Sequence, residues 1–90
     1  MIFEWDDLKN RLNIRKHGVS FEEALQVFSL PTLTSFDDQH SDFGDRYIAM
    51  GFLGTKLLVV IFSQRPDDTI RIISARKATR CEERLYEQSK

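Results

Sequence analysis

Arginine, lysine and histidine side chains are the parts of this 90-residue sequence that can do chemistry. Lys16 and His17 end a basic stretch, residues 9–17, which contains no acidic residue. A second group of cations lies near the C-terminus and comprises Arg71, Arg76, Lys77 and Arg80. A guanidinium fork matches the oxygens of a phosphate, and an imidazole exchanges protons near neutral pH. These residue types indicate an anionic ligand and acid–base chemistry on that ligand.

The charge distribution is more informative than the net charge of −1, which by itself argues against a nucleic-acid partner. An acidic segment, residues 37–45, separates the two basic groups along the chain. If the basic groups meet in space, the molecule has a polarised surface. An ordinary solvated surface would give the same distribution, and charge alone does not decide between these two interpretations.

The second group of cations lies where a predicted strand leads into a predicted helix. Residues 70–77 alternate and are rich in β-branched side chains, which is typical of a half-buried strand. Thr79 and Glu82 have the spacing of a capping box, so a helix is predicted to begin there. Strict alternation places Arg71 and Arg76 on opposite faces of the sheet unless a β-bulge intervenes. Cations at a helix N-terminus are opposed by the helix dipole, which favours an anionic partner as their explanation.

The remaining segments predict one α+β domain over residues 1–90, with an antiparallel sheet of four to five strands packed by two N-terminal helices and a C-terminal helix. An edge strand is predicted at residues 2–5. The first helix is predicted from Asp6 to about His17, with Gly18 after it and a narrow apolar stripe of Leu8 and Leu12. The second begins at the capping box of Ser20 and Glu23 and ends before Pro31. Further strands are predicted at residues 32–36, 47–52 and 57–62.

Several kinds of site are not expected from this sequence. One cysteine, Cys81, and two distant histidines do not supply a zinc site, and no glycine-rich phosphate loop follows a strand. Neither a metal nor a cofactor is therefore expected. The absence of a signal peptide and of a long apolar run predicts a cytoplasmic protein with no membrane attachment.

Cleavage of RNA without a metal is a reaction that the basic side chains are suited to catalyse. It needs a base for the 2′-hydroxyl group, donors around the phosphate and an acid for the leaving 5′-oxygen. The predicted catalytic residues are Arg76, His17 and Arg65. The predicted RNA-binding residues are Lys16, Arg46, Arg71, Lys77 and Arg80. The candidate proton shuttles are Glu82 and Tyr86.

Each of these residues also has a purely structural interpretation. His17 next to Gly18 is equally well explained as a cation at a helix C-terminus. Tyr86 next to Leu85 fits packing, and Glu82 fits the helix cap. Because a strand-end arginine is expected to be exposed, Arg76→Ala is expected to remove activity at little cost in stability.

Two separated segments resemble the BrnT family of toxins. The first comprises Phe3-Glu4-Trp5-Asp6, then Lys9-Asn10, Asn13 and Lys16-His17-Gly18-Val19-Ser20-Phe21-Glu22-Glu23-Ala24. The second comprises residues 70–79 with Glu82 and Tyr86. The resemblance covers nearly the whole chain. It implies a RelE-like fold, with Arg65, Arg71 and Arg76 where RelE-like toxins keep cations on the sheet.

The resemblance also implies a function and partners. It implies a ribonuclease that inhibits translation, as the toxin of a bacterial type II toxin–antitoxin system. The expected partners are RNA and a BrnA-like antitoxin with a ribbon-helix-helix domain, in a hetero-oligomer that binds operator DNA only through the antitoxin. The alternative is a non-catalytic module that binds the antitoxin and acts only within a DNA-binding complex.

Overall fold

A computed structural model describes residues 2–29, 33–36 and 46–88 of the chain. The elements in chain order are β1 (Ile2–Glu4), α1 (Asp7–His17), α2 (Phe21–Val27), β2 (Leu33–Phe36), β3 (Arg46–Leu53), β4 (Lys56–Gln64), β5 (Thr69–Lys77) and α3 (Arg80–Gln88). The acidic segment 37–45 and the predicted helix breaker Pro31 lie outside the described residues. No helix in the described ranges is long and apolar enough to cross a membrane.

The α+β prediction is confirmed, with five strands in the order β1-β5-β4-β3-β2. The strands from β2 to β5 pair antiparallel, as expected. β1 lies at an edge, also as expected, but it runs parallel to β5, with Phe3 opposite Ile70. The prediction of an antiparallel sheet is therefore wrong for this strand. Hairpins force antiparallel pairing, whereas β1 reaches β5 through most of the chain, and a long connection permits either direction.

Local hydrogen bonds explain why the N-terminal helices begin and end where they do. The side chain of Asp6 accepts hydrogen bonds from the backbone of the first turn of α1, at 2.8 Å from the nitrogen of Leu8. Gly18 ends α1 with a φ of 71°, a left-handed conformation that glycine adopts without strain. Ser20 and Glu23 form both hydrogen bonds of a capping box at the start of α2. These three predicted features are confirmed.

The main core lies between α2 and one face of the sheet, which we call the helix-covered face. α2 contributes Phe21, Ala24 and Val27, and the sheet contributes Leu58, Val60, Ile72 and Ala75. α1 contributes no apolar stripe to this core. The side chains predicted for that role are exposed, Leu8 to 63% and Leu12 to 53%. Instead, the buried residues of α1 are Asn10 and Asn13.

The opposite face of the sheet is covered at one end by α3, and we call it the α3 face. Tyr86 of α3 packs edge-on against Phe52, with ring centroids 5.3 Å apart. The same cluster contains Met50, Leu57 and Val59. Burial of these side chains anchors α3, since apolar area removed from water is the main stabilising contribution available to a short helix.

A β-bulge in β5 changes the alternation along that strand. Ile61 of β4 lies opposite Ser74, but the next residue, Phe62, lies opposite Ile72. Ile73 is therefore an extra residue without a partner in the ladder. All side chains of β5 that follow the bulge are turned to the opposite face from the one that strict alternation predicts.

A candidate nucleic-acid interface

The bulge places Arg71 and Arg76 on the same face of the sheet. Arg76 lies opposite Val59, which belongs to the cluster under Tyr86, and Arg71 lies opposite Ser63. Val59 and Ser63 are separated by an even number of positions on β4, so their side chains share the α3 face. The alternation in the sequence predicted opposite faces for the two arginines. The prediction allowed for a β-bulge as the exception, and this exception is what the structure shows.

A row of side chains crosses the far end of the α3 face, away from α3. Ser63 of β4 lies opposite both Arg46 of β3 and Arg71 of β5. Neighbouring strands are about 4.8 Å apart, so the backbones of the two arginines are roughly 10 Å apart on either side of Ser63. We call Arg46, Arg71 and the adjacent Arg65 the arginine row.

Glu4 of β1 lies beside this row and is shared by two of its arginines. Its Oε1 is 3.0 Å from Nε of Arg65 and 3.5 Å from Nη1 of Arg71. The side chains remain accessible, with exposures of 52% for Arg65, 34% for Arg71 and 39% for Glu4. Solvent-exposed ion pairs of this kind contribute little stability. One carboxylate between two guanidinium groups leaves donors that can bind a phosphate.

Arg76, at the other end of β5, has a more constrained environment. Its Nη1 and Nη2 are 2.7 and 2.9 Å from the two carboxylate oxygens of Glu82, a two-point contact. Glu82 also accepts a hydrogen bond from the backbone nitrogen of Thr79 at 2.8 Å, and the backbone nitrogen of Glu82 donates to Oγ1 of Thr79 at 3.2 Å. The predicted capping box of α3 is confirmed, and Arg76 is attached to it.

This arrangement determines the protonation of both partners. Hydrogen bonds from the Arg76 guanidinium lower the pKa of Glu82 to about 2, against an opposing effect of burial. The hydrogen bond to Glu82 raises the pKa of Arg76, so both groups stay charged at neutral pH. Glu82 consequently carries no proton to donate at neutral pH and is a weak base, which disfavours it as a proton shuttle.

Asn13 holds α1 against the open edge of β5, beyond the three residues that pair with β1. Its Nδ2 donates to the carbonyl oxygen of Ala75 at 2.7 Å and to that of Val19 at 2.8 Å. Its Oδ1 accepts from the nitrogen of Ala75 at 3.3 Å. The side-chain amide therefore replaces a neighbouring strand and satisfies buried backbone groups that would otherwise have no partner.

Asn10, one turn earlier on α1, attaches the helix to α2. Its Oδ1 accepts from the backbone nitrogen of Phe21 at 2.8 Å, and its Nδ2 donates to Glu22 at 2.6 Å. Neither asparagine was predicted as a functional or core residue. The available signal was two asparagines three positions apart within a helix, where this residue type is otherwise unfavourable.

A shallow depression lies between α1 and the edge of β5, and we call it the α1 groove. It has a volume of about 180 Å³ and is lined by Lys9, Leu12, Asn13, Lys16, His17, Ile73 and Ser74. Its lining includes two lysines and a histidine but no carboxylate. Asn13 lies in this lining, and its hydrogen bonds to Ala75 hold the helix next to the strand.

The predicted catalytic residues do not converge on one point. His17 lines the α1 groove with Lys16, Arg76 contacts Glu82 at the start of α3, and Arg65 contacts Glu4 in the arginine row. The predicted RNA-binding residues Lys77 and Arg80 are exposed near Arg76 in the chain, at the end of β5 and the start of α3. Tyr86 is 9% exposed within its apolar cluster, so its environment is that of a packing residue.

Comparison with protein families gives one match that covers most of the chain. Residues 5–82 match the model of the ribonuclease toxin BrnT of type II toxin–antitoxin systems. The chain belongs to the BrnT family. The family is that of a ribonuclease toxin, and membership of a type II system implies an antitoxin partner. Among curated proteins, no relative matches at a significant level.

A solved structure of a BrnT protein has the same fold. This chain is similar to the crystal structure of the ribonuclease toxin BrnT from Brucella abortus, with 28% sequence identity and a TM-score of 0.67. The match covers 89% of this chain and 100% of the Brucella chain. The resemblance inferred from the two sequence segments is thereby confirmed.

Proposed function

We propose that this BrnT family member is a metal-independent endoribonuclease that cleaves RNA and thereby inhibits translation. Family membership supports the ribonuclease activity. The observation that carries the proposed site is the α1 groove, where His17 lies with Lys9 and Lys16 and without a lining carboxylate. A proton-exchanging imidazole next to two cations is what RNA cleavage without a metal requires.

In the proposed reaction, His17 takes the proton of a 2′-hydroxyl group. The 2′-oxygen attacks the adjacent phosphorus, and the bond from phosphorus to the 5′-oxygen breaks. A proton delivered by the imidazolium or by water neutralises the leaving 5′-oxygen, so a 2′,3′-cyclic phosphate remains on the other fragment. Lys9 and Lys16 stabilise the charge that develops on the phosphate.

The arginine row has a different part in this proposal. Arg46, Arg65 and Arg71 bind phosphates of the same RNA strand away from the cleaved bond. The exposure of Arg65 and Arg71 and the carboxylate of Glu4 that they share support this part, because a phosphate can displace a single weakly held carboxylate. Arg46 is included because it lies opposite Ser63 on the same face. Arg76 acts through the fold, since its guanidinium is held by Glu82.

The test is RNA cleavage by the purified chain in the presence of EDTA. His17→Asn keeps a polar side chain that cannot exchange protons near neutral pH, and we expect a rate loss of about 100-fold or more. Arg84→Gln is the matched control, because it removes one exposed charge of α3 that lies outside both basic surfaces. Its rate should equal that of the wild type.

Three results would contradict parts of this proposal. Loss of RNA cleavage in EDTA would contradict the proposed metal independence. Equal cleavage rates for the wild type and His17→Asn would contradict the assignment of His17 as the general base. Tight binding of an antitoxin by a wild-type chain that cleaves no RNA would support the non-catalytic alternative.

We further propose that a BrnA-like antitoxin with a ribbon-helix-helix domain neutralises the toxin and that the complex represses its own operon. The type II family supports the existence of an antitoxin. Co-expression with the neighbouring reading frame should restore growth. A shift of the operator DNA by the complex, and none by the toxin alone, is expected in a gel assay.

A further inference from the structure

The outer face of α1 carries an unusual combination of exposed apolar and basic side chains. Among the described residues, five large hydrophobic side chains are exposed, and three of them, Leu8, Leu12 and Ile14, lie on α1. Their exposures are 63%, 53% and 44%. Exposed apolar side chains grouped with polar neighbours are characteristic of interaction surfaces.

Helix geometry determines which side chains of α1 lie furthest from the sheet. An α-helix turns by about 100° per residue. Asn10 and Asn13 point to the sheet and α2, where their hydrogen bonds are made. The opposite side of the helix therefore carries Leu8, Arg11, Leu12 and Arg15, and all four are exposed. We call these four residues the outer α1 face.

The charge of this face is entirely positive. After Asp7 in the first turn, α1 contains no further acidic residue, and its last turn is basic. The buried residues of α1 are Asn10 and Asn13, so hydrogen bonds rather than buried apolar side chains hold the helix in place. Its leucines are therefore largely exposed and add little to the packing among the residues that the structure describes.

We propose that the outer α1 face binds an acidic amphipathic helix of the antitoxin. This inference rests on the proposed function only in naming the antitoxin as the protein that carries the helix. A helix with apolar residues at i and i+4 can cover Leu8 and Leu12, and carboxylates beside them can pair with Arg11 and Arg15. Arginine and large apolar residues together are typical of protein–protein interfaces.

The apolar component distinguishes this partner from RNA. Phosphates would be attracted by Arg11 and Arg15, but they gain nothing from Leu8, the most exposed side chain of the face. A partner helix removes that leucine from water and gains the corresponding transfer free energy. The proposal also gives a simple route to neutralisation, because Leu12 belongs both to this face and to the α1 groove.

The test measures binding of the purified antitoxin, the product of the neighbouring reading frame, by calorimetry. Leu8→Glu places a carboxylate at the most exposed apolar position of the face, and Arg15→Glu reverses a charge. Each should raise the Kd at least about tenfold, because the first removes apolar contact and both oppose a negatively charged partner. Glutamate in the first turn of a helix is favourable, so Leu8→Glu should remain folded, which a thermal unfolding curve checks.

Leu85→Glu is the matched control, because it makes the same change at a residue of α3 that is 55% exposed. Its Kd should equal that of the wild type. RNA cleavage by Leu8→Glu should also be unchanged, since Leu8 lines neither the α1 groove nor the arginine row.

Several results would overturn the inference. One is antitoxin binding by Leu8→Glu with wild-type affinity, and another is failure of the wild type to bind the antitoxin at all. Loss of RNA affinity in Leu8→Glu with antitoxin binding intact would assign the face to RNA. A wild-type dimer that Leu8→Glu dissociates would assign the face to a second copy of the chain.

One result separates this inference from the proposed function. If the wild type cleaves no RNA but Leu8→Glu still weakens antitoxin binding, the proposed function fails and this inference stands.

Discussion

The two ends of β5 each carry an arginine next to a glutamate, but the two pairs differ in what else holds the carboxylate. Near α3, Glu82 accepts two hydrogen bonds from Arg76 and also caps the helix through Thr79. At the other end, Glu4 makes one contact of 3.5 Å with Arg71 and a shorter one with Arg65. We call these the fixed pair and the shared pair.

Residue type and charge alone do not distinguish an arginine that is held at two points from one that keeps donors available for a phosphate. Arg76 can contact a phosphate only if its guanidinium leaves Glu82. The carboxylate of Glu82, which also caps α3, then loses its cation. Arg71 can do so at little cost, because its carboxylate is exposed and retains Arg65 as a partner. This difference supports the proposal that Arg76 acts mainly as a structural residue and that RNA binds at the arginine row.

The largest expected effect concerns Asn13, which holds the β5 edge beside the fixed pair. Asn13→Ala leaves the backbone groups of Ala75 and Val19 without partners, so the free energy of unfolding should fall by about 2–4 kcal/mol in denaturant titrations. Asn13→Asp keeps the size of the side chain but removes both donated bonds, and a similar loss is expected. A loss below about 1 kcal/mol for Asn13→Asp would mean that the donated bonds are not what holds α1.

The next effect separates the fixed pair from the shared pair. Arg76→Ala leaves the carboxylate of Glu82, 24% exposed, without its cation, and should lower the free energy of unfolding by about 1–3 kcal/mol. This replaces the expectation from the sequence that the change costs little stability. Arg71→Ala, measured under the same conditions, should cost less than about 1 kcal/mol. Equal losses at both positions would invalidate the distinction.

A pH titration of stability sharpens the same comparison. Because the pKa of Glu82 is lowered to about 2 in the folded chain, its contribution is fully present above the unfolded value of about 4.3 and is lost as the pH falls towards 2. The wild type should therefore exceed Glu82→Gln in stability above pH 4.3, and the difference should narrow below it. Glu83→Gln, which removes the same charge from an exposed position of the same turn, is the control for effects of net charge alone. A difference for Glu82→Gln that stays constant over this range would contradict the assignment.

The smallest effect concerns salt-dependent binding of a single-stranded RNA. Each lost phosphate contact should reduce the slope of log affinity against log salt concentration by about 0.7. Arg71→Gln and Arg46→Gln are each expected to reduce it, while Arg76→Lys, which keeps the charge near Glu82, is expected to leave it unchanged. Unchanged slopes for both variants of the arginine row would remove that surface from the RNA interface.

Much of the local structure could be predicted from the sequence, since its signals lie within a few positions of one another. Ser20 with Glu23, Thr79 with Glu82, and Gly18 after His17 each marked a helix boundary that the structure confirms. The resemblance of two segments also led to the correct family. The apolar pair Leu8 and Leu12 misled the prediction, because the inward side of α1 is held by hydrogen bonds of asparagines rather than by apolar contacts.

The candidate site depended on contacts between positions that are distant in the chain. Asn13 and Ala75 are separated by most of the sequence, and no local pattern links an asparagine in a helix to a strand edge. The assignment of Arg76 to the site rested on its charge and its position in the chain. Neither indicates that Nη1 and Nη2 of Arg76 both donate hydrogen bonds to Glu82.

The amino-acid sequence by itself determined the helix caps, the order of strands and helices, and the presence of two basic groups, because these depend on side chains within about one helical turn or one strand. Only the tertiary structure decided the direction of β1 and the faces of Arg71 and Arg76. A bulge is a property of how β4 and β5 align, since one extra residue, Ile73, reverses every side chain after it. That single shift brings the two arginines to one face, where their glutamate partners hold them in different ways.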